Sequence, residues 1–252
     1  MKNLLQIAID GRLATITLND PSRRNAMSSD LFTLLEEAID SVDSSDAVAL
    51  RFRAEGPAFC AGFDLAECVD APDRLGMFVQ RLGGIVARLQ RMPVVTIAEV
   101  NGPALAGGCA LVSGCDLVHA SRAARFGYPV HRIGISPAVS LPTLMQSIGS
   151  GSARALTLSG DIIDADAACA MGLVHHVHED ADTMDSSVRA LCDRLIGHPL
   201  DLLARTKQAF DTLDASTADP ILAMATEASV KTTQDPEASH MLGAFWSKRK
   251  PS

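Results

Sequence analysis

Two short segments place small residues where a backbone must come close to a ligand: Phe59-Cys60-Ala61-Gly62-Phe63-Asp64-Leu65 and Ala104-Leu105-Ala106-Gly107-Gly108-Cys109. A Gly-Gly pair at a helix start lets the main chain approach a carbonyl oxygen with no side chain in the way, and the helix dipole favours negative charge there. An oxyanion is the natural guest. The same glycines would equally permit close helix-to-sheet packing, and the pair alone does not choose between the two uses. Other groups offer less. His175, His176 and His178 cluster in sequence, but only alternate residues share a strand face, so their spacing gives no metal site. Of the six cysteines (Cys60, Cys68, Cys109, Cys115, Cys169 and Cys192) none is spaced as a zinc or redox pair, and all read as reduced apolar fillers.

The elements that must position these segments follow from periodicity. Leu5, Ile7 and Ile9, then Leu13, Thr15 and Thr17, alternate around Asp10-Gly11, which predicts an opening β-hairpin. Ser28-Ser29-Asp30 starts a helix whose apolar face is Leu31, Leu34, Leu35, Ala38 and Ile39. A strand over 47–52 ends at Glu55-Gly56-Pro57 and leads into the first glycine segment, a loop. A helix ending near Arg91, a buried strand from Pro93 to Val100, a small-residue helix over 106–114 and a short strand over 117–120 follow. This order suggests ββα-like repeats of α+β or spiral α/β class. No GxGxxG opens a helix, so a doubly wound nucleotide fold is not expected. From Gly151 onward the pattern is helical, over 153–158, 164–171, 184–196, 200–213 and 221–230. The division expected is a core over 1–196 and a helical region over 197–252 that lids the site or packs on a neighbouring subunit.

A chain of 252 residues, 47% hydrophobic, can bury a substantial single core. Its net charge of -8 and pI near 5.3 argue against a nucleic-acid partner, which needs clustered Lys and Arg. No apolar run reaches the roughly 20 residues that span a bilayer, and no N-terminal basic-then-apolar stretch ends in a cleavage site. No membrane association and a cytoplasmic location are therefore expected.

The two glycine segments, in this order and separation, resemble the crotonase (enoyl-CoA hydratase/isomerase) superfamily. The resemblance runs nearly the whole chain: Asn19-Asp20-Pro21-Ser22-Arg23-Arg24-Asn25-Ala26-Met27 is similar to the family's NxPxxRNAM element. Further matches are Cys115-Asp116-Leu117, Ala124 to Pro129, Leu158-Ser159-Gly160 through Gly172-Leu173-Val174, and the C-terminal Phe245-Trp246-Ser247-Lys248-Arg249-Lys250-Pro251. The resemblance implies a crotonase-like spiral of ββα repeats, with the Phe63 and Gly107 N–H groups forming an oxyanion hole for a thioester enolate. It further implies a CoA groove lined by Arg24, Ala26, Ala61, Asp64 and Leu65, with Lys248 reaching a phosphate. A homotrimer or dimer of trimers is implied, and coenzyme A enters only as part of an acyl-CoA substrate, with no permanently bound cofactor and no metal. Asp64 and Lys248 also have plain readings, as a turn or cap residue and as a solvated charge.

The sequence departs from that pattern where proton transfer belongs. The two glutamates used by the family's hydratases fall at Ala110 and Val130, and a third position used by some isomerases falls near Ala138. General acid–base groups contribute roughly 10²–10⁴ each, so the donors alone would not support efficient two-glutamate hydration. His131 is the first replacement base to consider, although a one-residue offset in an extended segment turns it to the opposite face. Ser113, Ser136, Ser140, Glu67 and Asp70 are weaker candidates, and Ser113 can instead bond its own helix backbone. The expected activity is an acyl-CoA hydratase- or isomerase-like enzyme working through an enolate. The alternatives are a hydrolase or decarboxylase using the same enolate, and a catalytically silent acyl-CoA-binding homologue or hetero-oligomer subunit.

Overall fold

The computed structural model describes residues 3–69, 71, 73–213 and 219–248. The hairpin forms as its alternation requires: β1 (Leu5–Asp10) pairs antiparallel with β2 (Leu13–Leu18) around Gly11, whose φ of +56° a side chain would resist. Helix α1 (Ser29–Asp43) begins at Ser28, whose hydroxyl caps the Leu31 N–H at 3.2 Å, and it buries Leu31, Phe32, Leu35, Ala38, Ile39 and Val42. It carries the chain across to β3 (Ala49–Ala54), parallel to β2. A short helix α2 (Ala66–Val69) and the long α3 (Asp73–Arg91) make the next crossover to β4 (Val95–Val100).

Beyond β4 the chain forms the two-residue β5 (Ala104–Leu105), α4 (Gly107–Ser113), β6 (Leu117–Ser121) and β7 (Arg125–Gly127). Then come α5 (Leu141–Ser159), kinked at Gly149, β8 (Ile162–Asp164), α6 (Ala165–Met171), β9 (His176–His178) and α7 (Ala181–Ile196). Three helices follow: α8 (Leu200–Leu213), α9 (Asp219–Thr233) and α10 (Pro236–Ser247). The main sheet has the order β1-β2-β3-β4-β6-β9, and a second sheet has the order β5-β7-β8. The mixed α/β architecture expected from the sequence is present. Strands β8 and β9 nevertheless fall within the stretch after Gly151 that reads as helical, because each is three residues long and too short to show a period.

Side chains of the parallel strands alternate between two covered faces. Ile97 points to the α7 side, where it packs with Met184, Val188 and Cys192. Thr96, Ala98 and Val100 are also fully buried, and Ala98 and Val100 join the larger core. Charge enters this interior only in a paired form. Arg51 on β3 grips Glu99 on β4 through two bonds of 2.6 and 2.9 Å and reaches Asp185 on α7 at 2.5 Å, so one guanidinium ties two strands to the helix covering them.

The C-terminal helices fold back onto the core. Helix α9 lies along α3 where Gly83 makes room: a Cβ there would come within 2.4 Å of Thr226 Oγ1. The Ser229 hydroxyl accepts from the Val139 N–H at 2.8 Å and donates to the Ser136 carbonyl at 2.8 Å, and Thr232 accepts from the Ser136 N–H at 3.0 Å. Segment 136–139 is thereby pinned to α9.

The histidines singled out in the sequence meet a fourth. His119 on β6 lies opposite His176 in register and stacks on His178, with its Nδ1 3.0 Å from His178 Nε2. Burial, followed by repulsion from His176, His178 and His175, pushes His119 down to about 4. His175 is also held neutral by burial, and its Nδ1 accepts the Val118 N–H at 2.9 Å. A histidine depressed from 6.5 contributes stability that is fully present above about pH 6.5 and is lost as pH falls toward 4. Urea midpoints measured between pH 7 and pH 4.5 should fall in the wild-type chain, and His119→Gln should flatten that fall. Parallel pH profiles for the two proteins would contradict this account.

Candidate active site

The loop of the first glycine segment is built by hydrogen bonds to the chain that precedes α1. Met27 donates to the Gly62 carbonyl at 2.8 Å and accepts from the Asp64 N–H at 2.9 Å, a parallel bridge. In such a bridge the N–H and C=O of the middle residue, Phe63, face away from Met27. Gly62 makes the turn possible with φ +93°. The second segment is tied to the first: Cys60 donates to the Pro103 carbonyl at 3.1 Å and accepts from the Leu105 N–H at 2.9 Å.

Between β5 and α4 the chain turns on Ala106, at φ 52° and ψ −115°, a conformation that costs an alanine roughly 1–3 kcal/mol and is held by its N–H bond to the Gly127 carbonyl at 2.8 Å. The strain lies one residue before Gly107. An ideal Cβ on Gly62 would fall 3.7 Å from the Gly107 nitrogen, so the peptide leading into Phe63 and the Gly107 amide are near neighbours. Neither the Phe63 nor the Gly107 N–H is taken by an acceptor among the described residues. The dipole of a seven-residue helix is small, so the positioned N–H groups carry more weight here than the helix.

Both residues line a cavity of about 150 Å³. Its wall is mostly apolar, with Leu65, Val79, Leu82, Val130, Ile135 and Val139 among the contributors; Ala61 stands at the edge, and Phe245 arrives from α10. Polar side chains are limited to Tyr128, Ser136 and Ser140. Among the described residues, no carboxylate, histidine, lysine or arginine lines it.

This fold has nine-tenths or more of its length in common with solved enzymes. An enoyl-CoA hydratase from Mycobacterium avium overlays with TM-score 0.85 at 26% identity, covering 100% of this chain and 99% of that one. One from Mycobacterium smegmatis overlays with TM-score 0.80 at 30% identity, covering 99% and 98%. The family model for enoyl-CoA hydratase/isomerase matches residues 8–252. The chain belongs to the enoyl-CoA hydratase/isomerase family. Similar members include a short-chain-enoyl-CoA hydratase from Clostridium acetobutylicum, 30% identical over 96% of this chain and 94% of that protein. Another is the 1,2-epoxyphenylacetyl-CoA isomerase of Escherichia coli, 30% identical over 96% and 95%.

Within this family framework the remaining sequence candidates separate. Ala110 is fully buried, and Val130 lines the cavity as an alkyl wall. Ala138 is buried outside the lining, between Pro137 and Val139, which belong to it. His131 is exposed and stands outside the cavity. The segment is not extended, as the sequence reading supposed, but a 3-10 turn over Pro129–Ile133, which swings the residue after Val130 outward. Ser113 bonds the Ala110 carbonyl of its own helix at 3.0 Å and the Thr143 hydroxyl at 2.8 Å. Glu67 is held at the start of α1 by Ser29 Oγ at 2.6 Å and by Arg74 at 3.3 Å. Asp70 lies outside the described residues.

The residues assigned to a CoA groove are spread along one loop face. Arg24, exposed and left-handed at φ 53°, accepts the Ala61 N–H on its carbonyl at 3.0 Å, and Ala26 is half-buried beside it. Asp64 pairs with Arg23 at 2.7 Å and receives the Ala66 N–H at 3.2 Å, so its carboxylate is engaged in the turn. Lys248 is exposed at the end of α10, one turn from Phe245. The feature that sequence reasoning missed is Tyr128, the only tyrosine of the chain, whose ring is buried in the cavity wall.

The glycine pair divides its labour. A Cβ on Gly107 would meet the flexible end of Met27 at 2.4 Å, whereas one on Gly108 would meet the Cys60 carbonyl oxygen at 2.3 Å. Gly107→Ala should cost about 1–3 kcal/mol in urea denaturation, as overpacking does, and Gly108→Ala clearly more, because backbone must move. Equal costs for the two variants would contradict this reading.

Proposed function

We propose that the protein binds a short acyl-CoA thioester with its carbonyl oxygen between the Phe63 and Gly107 N–H groups and stabilises the enolate formed from it. The observation that carries this reading is that Phe63 and Gly107, whose N–H groups have no acceptor among the described residues, both line one mostly apolar cavity. Two N–H groups aimed at one oxygen favour the state in which that oxygen becomes negative, and each donor contributes roughly 10²–10³ in rate where the charge develops. A mostly apolar cavity of about 150 Å³ accepts a guest the size of benzene, which corresponds to a short acyl group. With no ionisable acid or base in the lining apart from the Tyr128 phenol, the acyl group is uncharged and the two-carboxylate route to hydration is absent. Arg24, Ala26, Ala61, Leu65 and Lys248 line the path for the CoA moiety, which stays part of the substrate.

The same absence supports a second reading, a silent acyl-CoA-binding homologue. Solvent exchange separates the two. In D2O, butyryl-CoA bound to the enzyme should exchange its α-protons slowly, with solvent water taking each proton because no described residue of the lining offers a carboxylate, histidine or lysine; crotonyl-CoA should be hydrated slowly or not at all, and His131→Gln should leave the exchange unchanged. Binding without exchange would establish the silent scaffold, and failure to bind butyryl-CoA would overturn the acyl-thioester reading.

Self-association is part of the proposal. Leu202, Phe210 and Leu213 on α8 are 57%, 64% and 84% exposed, and Met224 on α9 is 64% exposed, large apolar side chains that a subunit contact would cover. Sedimentation equilibrium should give a trimer or a multiple of three, which Phe210→Glu should weaken; a monomer at micromolar concentration would contradict it.

A further inference from the structure

The polar side chains of the cavity lining, Tyr128, Ser136 and Ser140, differ in reach. Tyr128 is 1% exposed and Ser140 2%, and the Ser140 hydroxyl stands beside the Tyr128 phenol, so neither offers a ligand appreciable surface. Ser136 is half-buried. Its hydroxyl has no hydrogen-bond partner among the described residues, and it is not one of the side-chain atoms, Asn101 Oδ1 and the Tyr128 hydroxyl, that are sealed away without one. The oxygen therefore keeps accessible surface. Ser136 also stands at the N-cap of the 3-10 turn Pro137–Ser140, where a serine hydroxyl ordinarily closes onto a backbone N–H, as Ser28 does at α1. Here no such bond forms, and the hydroxyl is left for another partner.

The backbone of Ser136 is fixed from both sides. Thr232 accepts its N–H at 3.0 Å, Ser229 donates to its carbonyl at 2.8 Å, and Pro137 follows with a locked φ. The position of the hydroxyl oxygen then depends on a single torsion, which makes it a preorganised partner. A guest that fills a cavity of about 150 Å³ touches each of its walls, so an acyl chain whose carbonyl lies between Phe63 and Gly107 reaches Ser136 as well.

Resting on the acyl-thioester reading above, we propose that Ser136 is a specificity-determining residue whose hydroxyl hydrogen-bonds an uncharged oxygen carried on the acyl chain. A serine hydroxyl both donates and accepts, so a hydroxyl or keto oxygen on the chain completes it. The preferred substrate class is then a short oxygenated acyl thioester and not a plain hydrocarbon chain, which covers the hydroxyl without pairing it. An anionic acyl group is disfavoured, because no cation lines the cavity among the described residues.

The test is calorimetric titration of the intact protein with butyryl-CoA and with 2-, 3- and 4-hydroxybutyryl-CoA. At least one hydroxylated thioester should bind about fivefold more tightly than butyryl-CoA, the worth of one net hydrogen bond. In Ser136→Ala the ratio for that thioester should fall to about one, with butyryl-CoA in the same variant as the internal reference, whereas Ser140→Ala should keep it. If all four thioesters bind the wild-type protein equally, the hydroxyl is satisfied by water alone and the proposal is overturned, whether or not the variants fold. A preference that survives in Ser136→Ala, or that Ser140→Ala removes just as completely, overturns it as well. Failure of all four to bind would instead defeat the acyl-thioester reading itself, a result distinct from these.

Discussion

The structure depends on one close approach, that of the backbone at Gly62-Phe63 to the backbone at Ala106-Gly107. Neither stretch could come this near with ordinary side chains. Gly62 supplies a left-handed turn, Gly107 removes a Cβ that would strike Met27, and Gly108 removes one that would strike the Cys60 carbonyl. Ala106 is held in a strained conformation between β5 and the helix α4 that it starts. The Arg51–Glu99 pair inside the sheet and the clamp of Ser229 and Thr232 on segment 136–139 hold the surrounding walls in place. Beside the cavity the amides of Phe63 and Gly107 are left without an acceptor among the described residues, an arrangement that costs stability unless a ligand or water uses it.

What surrounds those amides departs from the two-carboxylate scheme. With Ala110 buried and Val130 presented as an alkyl wall, the lining holds no carboxylate, histidine, lysine or arginine among the described residues. A buried cluster of hydroxyls and a thiol occupies the neighbourhood instead: Tyr128, Ser113, Ser140, Thr143 and Cys109. Burial raises the Tyr128 phenol well above its usual range and pushes the Cys109 thiol up to about 11, so both stay protonated near neutral pH.

Much of this was legible in the sequence. Asp10-Gly11, the Ser28 cap and the three-and-four spacing of α1 are local signals, and the structure follows each. The glycine segments were legible because glycine is expensive wherever it is not needed. Other features were not. Strands β8 and β9 are stabilised by partners distant in the chain, and α10, absent from the sequence reading, is held by its seating on the 3-10 turn over Pro129–Ile133 and on α2. His131 lies outside the cavity, the side that its one-residue offset from Val130 gives, but the segment that places it there is a 3-10 turn and not an extended strand, which the sequence does not show. Tyr128 was overlooked because a lone aromatic in sequence reads as core, and in the structure it is buried while bordering the cavity.

The central claim is that two backbone N–H groups polarise one thioester oxygen. Infrared difference spectroscopy of butyryl-CoA labelled with carbon-13 at the carbonyl measures this directly, since hydrogen bonds to a carbonyl lower its stretching frequency. The account predicts that the labelled band shifts to lower frequency on binding and narrows as the oxygen is fixed in one orientation. A bound thioester whose band stays at or above its position in water would contradict it.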